Sequence, residues 1–153
     1  MIVQQQAELW SSRCLPHTEP LLRVTTVDGT VGSTRLFIEL TTTEKSVHAG
    51  VSRYVQASRM SPFATLLFEP IDGPQRGAVR DNAAACAMAL HVREAVARVV
   101  EERGISEIHL FAAVPQGLMT FLGHNLNATV PVQLYEYDGH DYHPSLRLTG
   151  DMH

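Results

Sequence analysis

Residues 105–142 read ISEIHLFAAVPQGLMTFLGHNLNATVPVQLYEYDGHDY. Two nearly continuous apolar runs, 109–114 and 130–135, flank a segment that opens on Pro115 and breaks at Gly123, Asn125 and Asn127. Strands covered by helices on both faces carry such unbroken apolar runs, because neither side of the pleat meets water. The stretch is therefore a strand, helix, strand unit. In open α/β sheets such units bring a strand end and a helix start together at the carboxyl edge, where ligands bind.

Working outward, residues 82–103 form a long helix with Met88, Val92, Val96 and Val99 on one side and Arg93, Glu94, Arg98 and Glu101 on the other. Asp81 or Asn82 caps its start and Gly104 closes it. Residues 63–68 form a strand ended by Glu69-Pro70, and IDGPQRGAVRD is the loop after it. Further upstream, residues 21–27 alternate, meet the turn signal Asp28-Gly29, and give way to RLFIEL at 35–40, which predicts two strands joined by a turn. A short helix begins near Ser46, capped by Ser46 or Thr43. Asp138 to His143 reads as a loop and 146–148 as a short last strand. Residues 1–20 show no period and are expected to be an irregular or partly helical lead-in; residues 21–150 form one domain. The order is close to βββαβαββ, an α/β Rossmann-like three-layer sandwich with a mostly parallel sheet. Right-handed crossovers then gather the helix starts near 43–46, 75–82 and 115–117 on one edge.

Composition narrows the function. The chain has 153 residues, 44% hydrophobic and 18% charged, which suits one domain with a full core. A net charge of −4 does not suit a protein that coats duplex nucleic acid, since that mode needs many phosphates neutralised over a basic face. Eleven of the twelve basic residues are Arg, whose planar fork suits phosphate and bases, although a GC-rich coding preference accounts for the bias as well. Cys14 and Cys86 lie far apart, there is no signal peptide, and no apolar run reaches membrane-spanning length. A cytoplasmic chain with both thiols reduced and no membrane partner is the expectation.

No phosphate-loop, dinucleotide, nucleophile-elbow or HExxH signature occurs, so the residues point to binding rather than catalysis, with no cofactor. Asp138, His140, Asp141 and His143 crowd one loop, but a second ligand pair at defined spacing is missing and no metal is expected. Cys86 reads as core, His91 and His109 as structural, and Tyr135 and Tyr137 as packing residues. His48 is a weaker site candidate than Lys45.

The order LFAAVP, LGHNLN, VQLYEY, followed by Tyr142, resembles the end of a SAVED domain. So does the earlier pairing of FIEL at 37–40 with 41–45 and the helix holding Val51 and Tyr54. The similarity spans about residues 36–148. SAVED domains are Rossmann-like modules related to the CARF domains of CRISPR systems, and the resemblance implies a sensor that binds a cyclic oligonucleotide and switches on a fused or associated effector in anti-phage CBASS or CRISPR defence, through oligomerisation. A complete SAVED domain resembles two CARF-like halves, and this chain has the length of about one. It is thus either a piece of a longer protein or a unit that pairs with itself or with a second half. A ring-nuclease enzyme that degrades such a ligand, and an inert partner half of a larger receptor, are the alternatives.

The candidate ligand-binding residues follow from that chemistry. Helix starts offer free N–H groups and a favourable dipole to phosphate without net charge. Thr42, Thr43 and Lys45, the chain's single lysine, stand where a strand gives way to a helix; a solvated lysine in a capping loop is the equal alternative. Arg76 and Arg80 lie in the loop before the long helix, where an Arg is also commonly solvated. Pro115, Gln116 and Gly117 open the next helix, with Gly117 permitting close approach and Gln116 able to read a base edge, or else form a plain connection.

Overall fold

The computed structural model describes residues 2–5, 8–11, 21–42, 48–73, 78–114, 116–126, 130–138 and 140–149. Strands β1 (Ile2–Gln5) and β2 (Glu8–Ser11) pair antiparallel, so the segment expected to be irregular or partly helical contains a small two-stranded ribbon. The main sheet holds β3 (Leu22–Asp28), β4 (Arg35–Thr41), β5 (Ala64–Pro70), β6 (Glu107–Ala113), β7 (Val132–Tyr137) and β8 (Tyr142–Leu148) in the order β3-β5-β4-β6-β7-β8. Helices α1 (His48–Ser58), α2 (Asn82–Arg103) and α3 (Gln116–Leu126) follow β4, β5 and β6.

The expectation of a mostly parallel sheet holds only for the inner four strands. β5, β4, β6 and β7 run parallel, while β3 and β8 close the two edges antiparallel, and the sheet is mixed. A parallel neighbour requires a crossover, and a short loop or hairpin permits only the reverse. β8 returns from β7 through the turn at 138–141 and is longer than the three residues expected. β3 and β4 do not form the hairpin that Asp28-Gly29 suggests. The turn instead binds the start of β5, with Gly29 N donating to Phe63 O (2.9 Å) and Thr30 N to Pro62 O (2.8 Å), so β5 lies between the two.

The two sheet faces carry separate cores. Leu36, Ile38 and Leu40 of β4 join Leu66, Phe68, Ile108, Leu110 and Val132 beneath Met88, Val92 and Val96 of α2 and Leu118, Phe121 and Leu122 of α3. The alternate residues Phe37, Phe111, Tyr135 and Tyr142 lie beneath Val51, Tyr54 and Val55 of α1. Three layers result, with α1 alone on its side.

Local chemistry explains the helix ends. Asp81 Oδ1 accepts from Ala84 N at 2.8 Å, and Gly104 closes α2 in the left-handed region (φ 64°), both as the sequence indicates. Cys86 is buried in α2, as expected, but it is disulfide-bonded, which corrects the expectation of reduced thiols; sequence separation carries no information on pairing. α3 runs through Gly123, where a break was expected, because Phe121, Leu122 and Leu126 bury on its inner side. A Cβ at Gly123 meets nothing within 4 Å. Gly123→Ala is therefore expected to raise stability by about 0.5–1 kcal/mol, measured by urea unfolding; a loss would show that the helix is not continuous there.

Candidate functional site

Because β4, β5 and β6 are parallel, their following helices all start at one edge of the sheet. The connections from the adjacent strands β4 and β6 leave in opposite directions: β4 leads through α1 to β5 on one side, and β6 leads through α3 to β7 on the other. Between such strands an open α/β sheet has its crevice. Here the crevice is bounded by the ends of β4 and β6, where Thr42 N donates to Ala113 O at 3.1 Å.

Thr42 is 1% exposed, and its Oγ1 has no hydrogen-bond partner among the described residues. A buried hydroxyl left unmatched costs free energy, so one at a ligand edge gains from a hydrogen bond to an outside group. Gln116 and Gly117 form the first turn of α3, three and four residues beyond Ala113. Arg80 is exposed immediately before the Asp81 cap of α2. Thr43, Lys45, Arg76 and Pro115 lie outside the described residues. The site expected at three helix starts is thus represented by Thr42, Arg80, Gln116 and Gly117, on elements that share an edge.

A second feature escaped sequence reasoning. Glu39 stands in the middle of the central strand, 3% exposed, with His48 Nδ1 at 3.2 and 3.3 Å from its two oxygens. The signal was present: one carboxylate inside the apolar run LFIEL at 36–40 has to find a partner once the strand is buried. Burial raises the Glu39 carboxyl above its ordinary range, an effect that the neighbouring His48 offsets in part. An acid raised in the folded state adds stability below its unfolded value near 4.5 and loses that contribution as pH rises through the folded value. Glu39→Gln is accordingly expected to gain on the wild-type protein as pH is raised from 4.5 to 7.5, in urea unfolding at several pH values. A constant difference would show that Glu39 titrates as it does in the unfolded chain.

Under α1 the polar groups are matched. Tyr54 Oη donates to Tyr135 Oη (3.4 Å), Tyr135 Oη to His109 Nδ1 (2.5 Å), and His109 Nε2 to Glu107 Oε1 (3.0 Å), an arrangement that one neutral tautomer of His109 completes. Burial lowers the His109 pKa, and the hydrogen bond from His109 lowers that of Glu107, which also takes Arg35 Nε at 2.8 Å. His109 is structural, as the sequence indicates. Tyr135 packs against Phe111, and Tyr137, though about half exposed, packs against Tyr142.

In the turn between β7 and β8, Asp138 accepts from Asp141 N (2.7 Å), His140 N (2.8 Å) and His143 Nε2 (2.6 Å). Those backbone bonds, with His143, hold its pKa down at about 2. Asp141 is engaged by Arg53 Nε at 3.1 Å. The acids of this loop are thus occupied in shaping the turn, and among the described residues no group of three or more metal-ligating side chains occurs. Nor is any helix among them long and apolar enough to cross a membrane.

Fold and edge together define an open-sheet, three-layer α/β domain. The sequence model of the SMODS-associated and fused to various effectors sensor domain, SAVED, matches residues 1–148, and the chain belongs to that family. The match includes the first 35 residues, which the resemblance did not reach. Among solved structures, the Acinetobacter baumannii Cap4 SAVED/CARF-domain receptor with the cyclic trinucleotide 3'3'3'-cAAA aligns with a TM-score of 0.80 at 15% identity, covering 97% of this chain and 32% of the receptor. The same receptor with 2'3'3'-cAAA gives 0.80 at 16% identity, covering 95% and 31%. The Moraxella osloensis Cap4 SAVED/CARF-domain receptor gives 0.65 at 17%, covering 94% and 29%. The chain thus spans about a third of the length of these receptors. No curated protein matches it.

Proposed function

We propose that this chain is the ligand-binding unit of a sensor for a cyclic oligonucleotide, and that it acts by binding rather than catalysis. The observation that carries the reading is the buried Thr42 hydroxyl, without a partner among the described residues, at the crevice between β4 and β6. Phosphate suits this place, since the adjoining start of α3 offers backbone N–H groups and the positive end of a helix dipole. We assign the ring's contacts to Thr42, Arg80, Gln116 and Gly117 and, outside the described residues, to Thr43, Lys45, Arg76 and Pro115. The family membership and the two cyclic-trinucleotide receptors of the same fold support the ligand class. Occupancy is passed to an effector through association, with this chain or with a second SAVED-like half, in anti-phage defence. For that, the ligand has to bind the associated state more tightly.

Calorimetry with a panel of cyclic di-, tri- and tetranucleotides tests the reading. Binding of at least one ring, recovered intact afterwards, is expected, and silence across the panel at about 100 µM would remove the proposal. Thr42→Val separates ligand from structure: it is expected to leave stability unchanged or raise it by about 1 kcal/mol while weakening the ring about tenfold. Unchanged affinity would place the phosphate elsewhere.

A further inference from the structure

On the α1 side of the sheet, one cross-strand row runs Thr25, Leu67, Glu39, Phe111, Tyr135. Its two ends differ. Phe111 and Tyr135 are covered by α1, whereas Thr25 is exposed and Leu67 half-exposed, because α1 packs over the half of the sheet nearer β8. Beside the helix this leaves a groove of about 250 Å³, lined by Thr25, Val27, Glu39, Thr41, His48 and Leu67 among others. Its floor is aliphatic and its inner end is a buried carboxyl.

We propose that this groove receives one nucleobase of the ligand and that Glu39 selects bases bearing an exocyclic amino group. The inference rests on the cyclic-oligonucleotide reading above. The groove falls below the volume of pockets that enclose whole drug-sized ligands and matches a single flat ring. Val27 and Leu67 offer apolar contact to a base face. Glu39 lies two residues before Thr41, the last residue of β4 and on the same face, so the groove begins about 7 Å below the strand end that carries Thr42, within reach of a base whose phosphate sits at that end. The two Glu39 oxygens share a single Nδ1 of His48, so acceptor capacity remains, and a carboxylate accepts from an amino group such as cytosine N4 or adenine N6. Uracil turns carbonyl oxygens toward the same place and is repelled. The other carboxylate of the groove, Glu69, is partly exposed to solvent and engaged through one oxygen by Arg23 at 3.0 Å, whereas Glu39 lies at the buried end, where a hydrogen bond to a base is not diluted by water.

The test compares rings of one size and linkage, cyclic triadenylate and cyclic triuridylate, by calorimetry at pH 8. The wild-type protein is expected to favour the adenine ring by on the order of tenfold. Glu39→Gln presents an amide that both donates and accepts, and is expected to reduce the preference below about threefold. Thr25→Trp, at an exposed strand position that tolerates an aromatic, fills the groove and should abolish the preference while both rings still bind. Equal binding of the two rings by the wild-type protein overturns the inference, as does a preference that survives both substitutions. Binding of neither ring, nor of any other cyclic oligonucleotide, overturns the sensor reading with it.

Discussion

Phe111→Ala is expected to lower the unfolding free energy by about 3–5 kcal/mol, the upper range for a large side chain removed from a core. Phe111 has no exposed surface and lies at the centre of β6, itself between two parallel neighbours. Its ring stacks on Tyr135 at 4.2 Å and 11°, meets Tyr142 edge-on at 5.3 Å and 90°, and lies 5.3 Å from Phe37 and 5.7 Å from Tyr54. Four aromatic partners from β4, α1, β7 and β8 thus lose one common contact. The strands around it are fixed by their ladders and have little freedom to close the space, so the cavity term adds to the lost burial. For a domain of this size the midpoint of thermal unfolding falls by about 10 °C. A loss under about 1.5 kcal/mol would mean that α1 settles into the gap and that the aromatic cluster is looser than described.

Gly29→Ala is expected to cost about 3 kcal/mol, for a reason that owes nothing to a left-handed backbone. A Cβ there would lie 2.2 Å from Pro62 O and 3.0 Å from Phe63 O, both main-chain atoms. Main chain cannot swing aside as a side chain does, so the turn has to lift away. Lifting it strains the packing and breaks the bonds from Gly29 N and Thr30 N that seat the turn on the entrance to β5. Gly32, at φ 94° with open space around it, provides the contrast: Gly32→Ala suffers from backbone conformation alone. Urea unfolding of the two variants ranks them, and a Gly29→Ala protein as stable as the wild type would show that the loop does not approach β5 as closely as described.

What the sequence disclosed depended on whether its signal was local. The buried inner strands announce themselves as apolar runs, and the caps of α2, Asp81 and Gly104, are written in one residue each. Partner choice is not local. Residues 21–27 alternate as a strand should, but nothing in them distinguishes pairing with RLFIEL after a turn from pairing with β5 some forty residues on. β8 was foreshortened because His143, Pro144, Ser145 and Arg147 are polar or helix-breaking, as an exposed edge strand permits. Gly123 and Asn125 spelled a break that the burial of Phe121 and Leu126 overrides. At the site, Thr42 was legible from its place after a strand. Its lack of a partner was not, since that depends on Ala113 and on every neighbour that fails to reach the hydroxyl. Glu39 was overlooked because a lone acid in an apolar run resembles an edge residue until both of its neighbours in the sheet are known.

The placement of β5 between β3 and β4 bears on how the chain reaches this arrangement. β4 is made early, yet both strands that flank it come later, one at 64–70 and the other at 107–113. Until the second emerges, the most deeply buried of the described strands has an open edge, and closing it requires contacts across some seventy residues. Chains dominated by such distant pairings fold slowly and are exposed to intermolecular strand pairing while they wait. The nascent chain, more than the finished fold, is where this protein is most prone to aggregate.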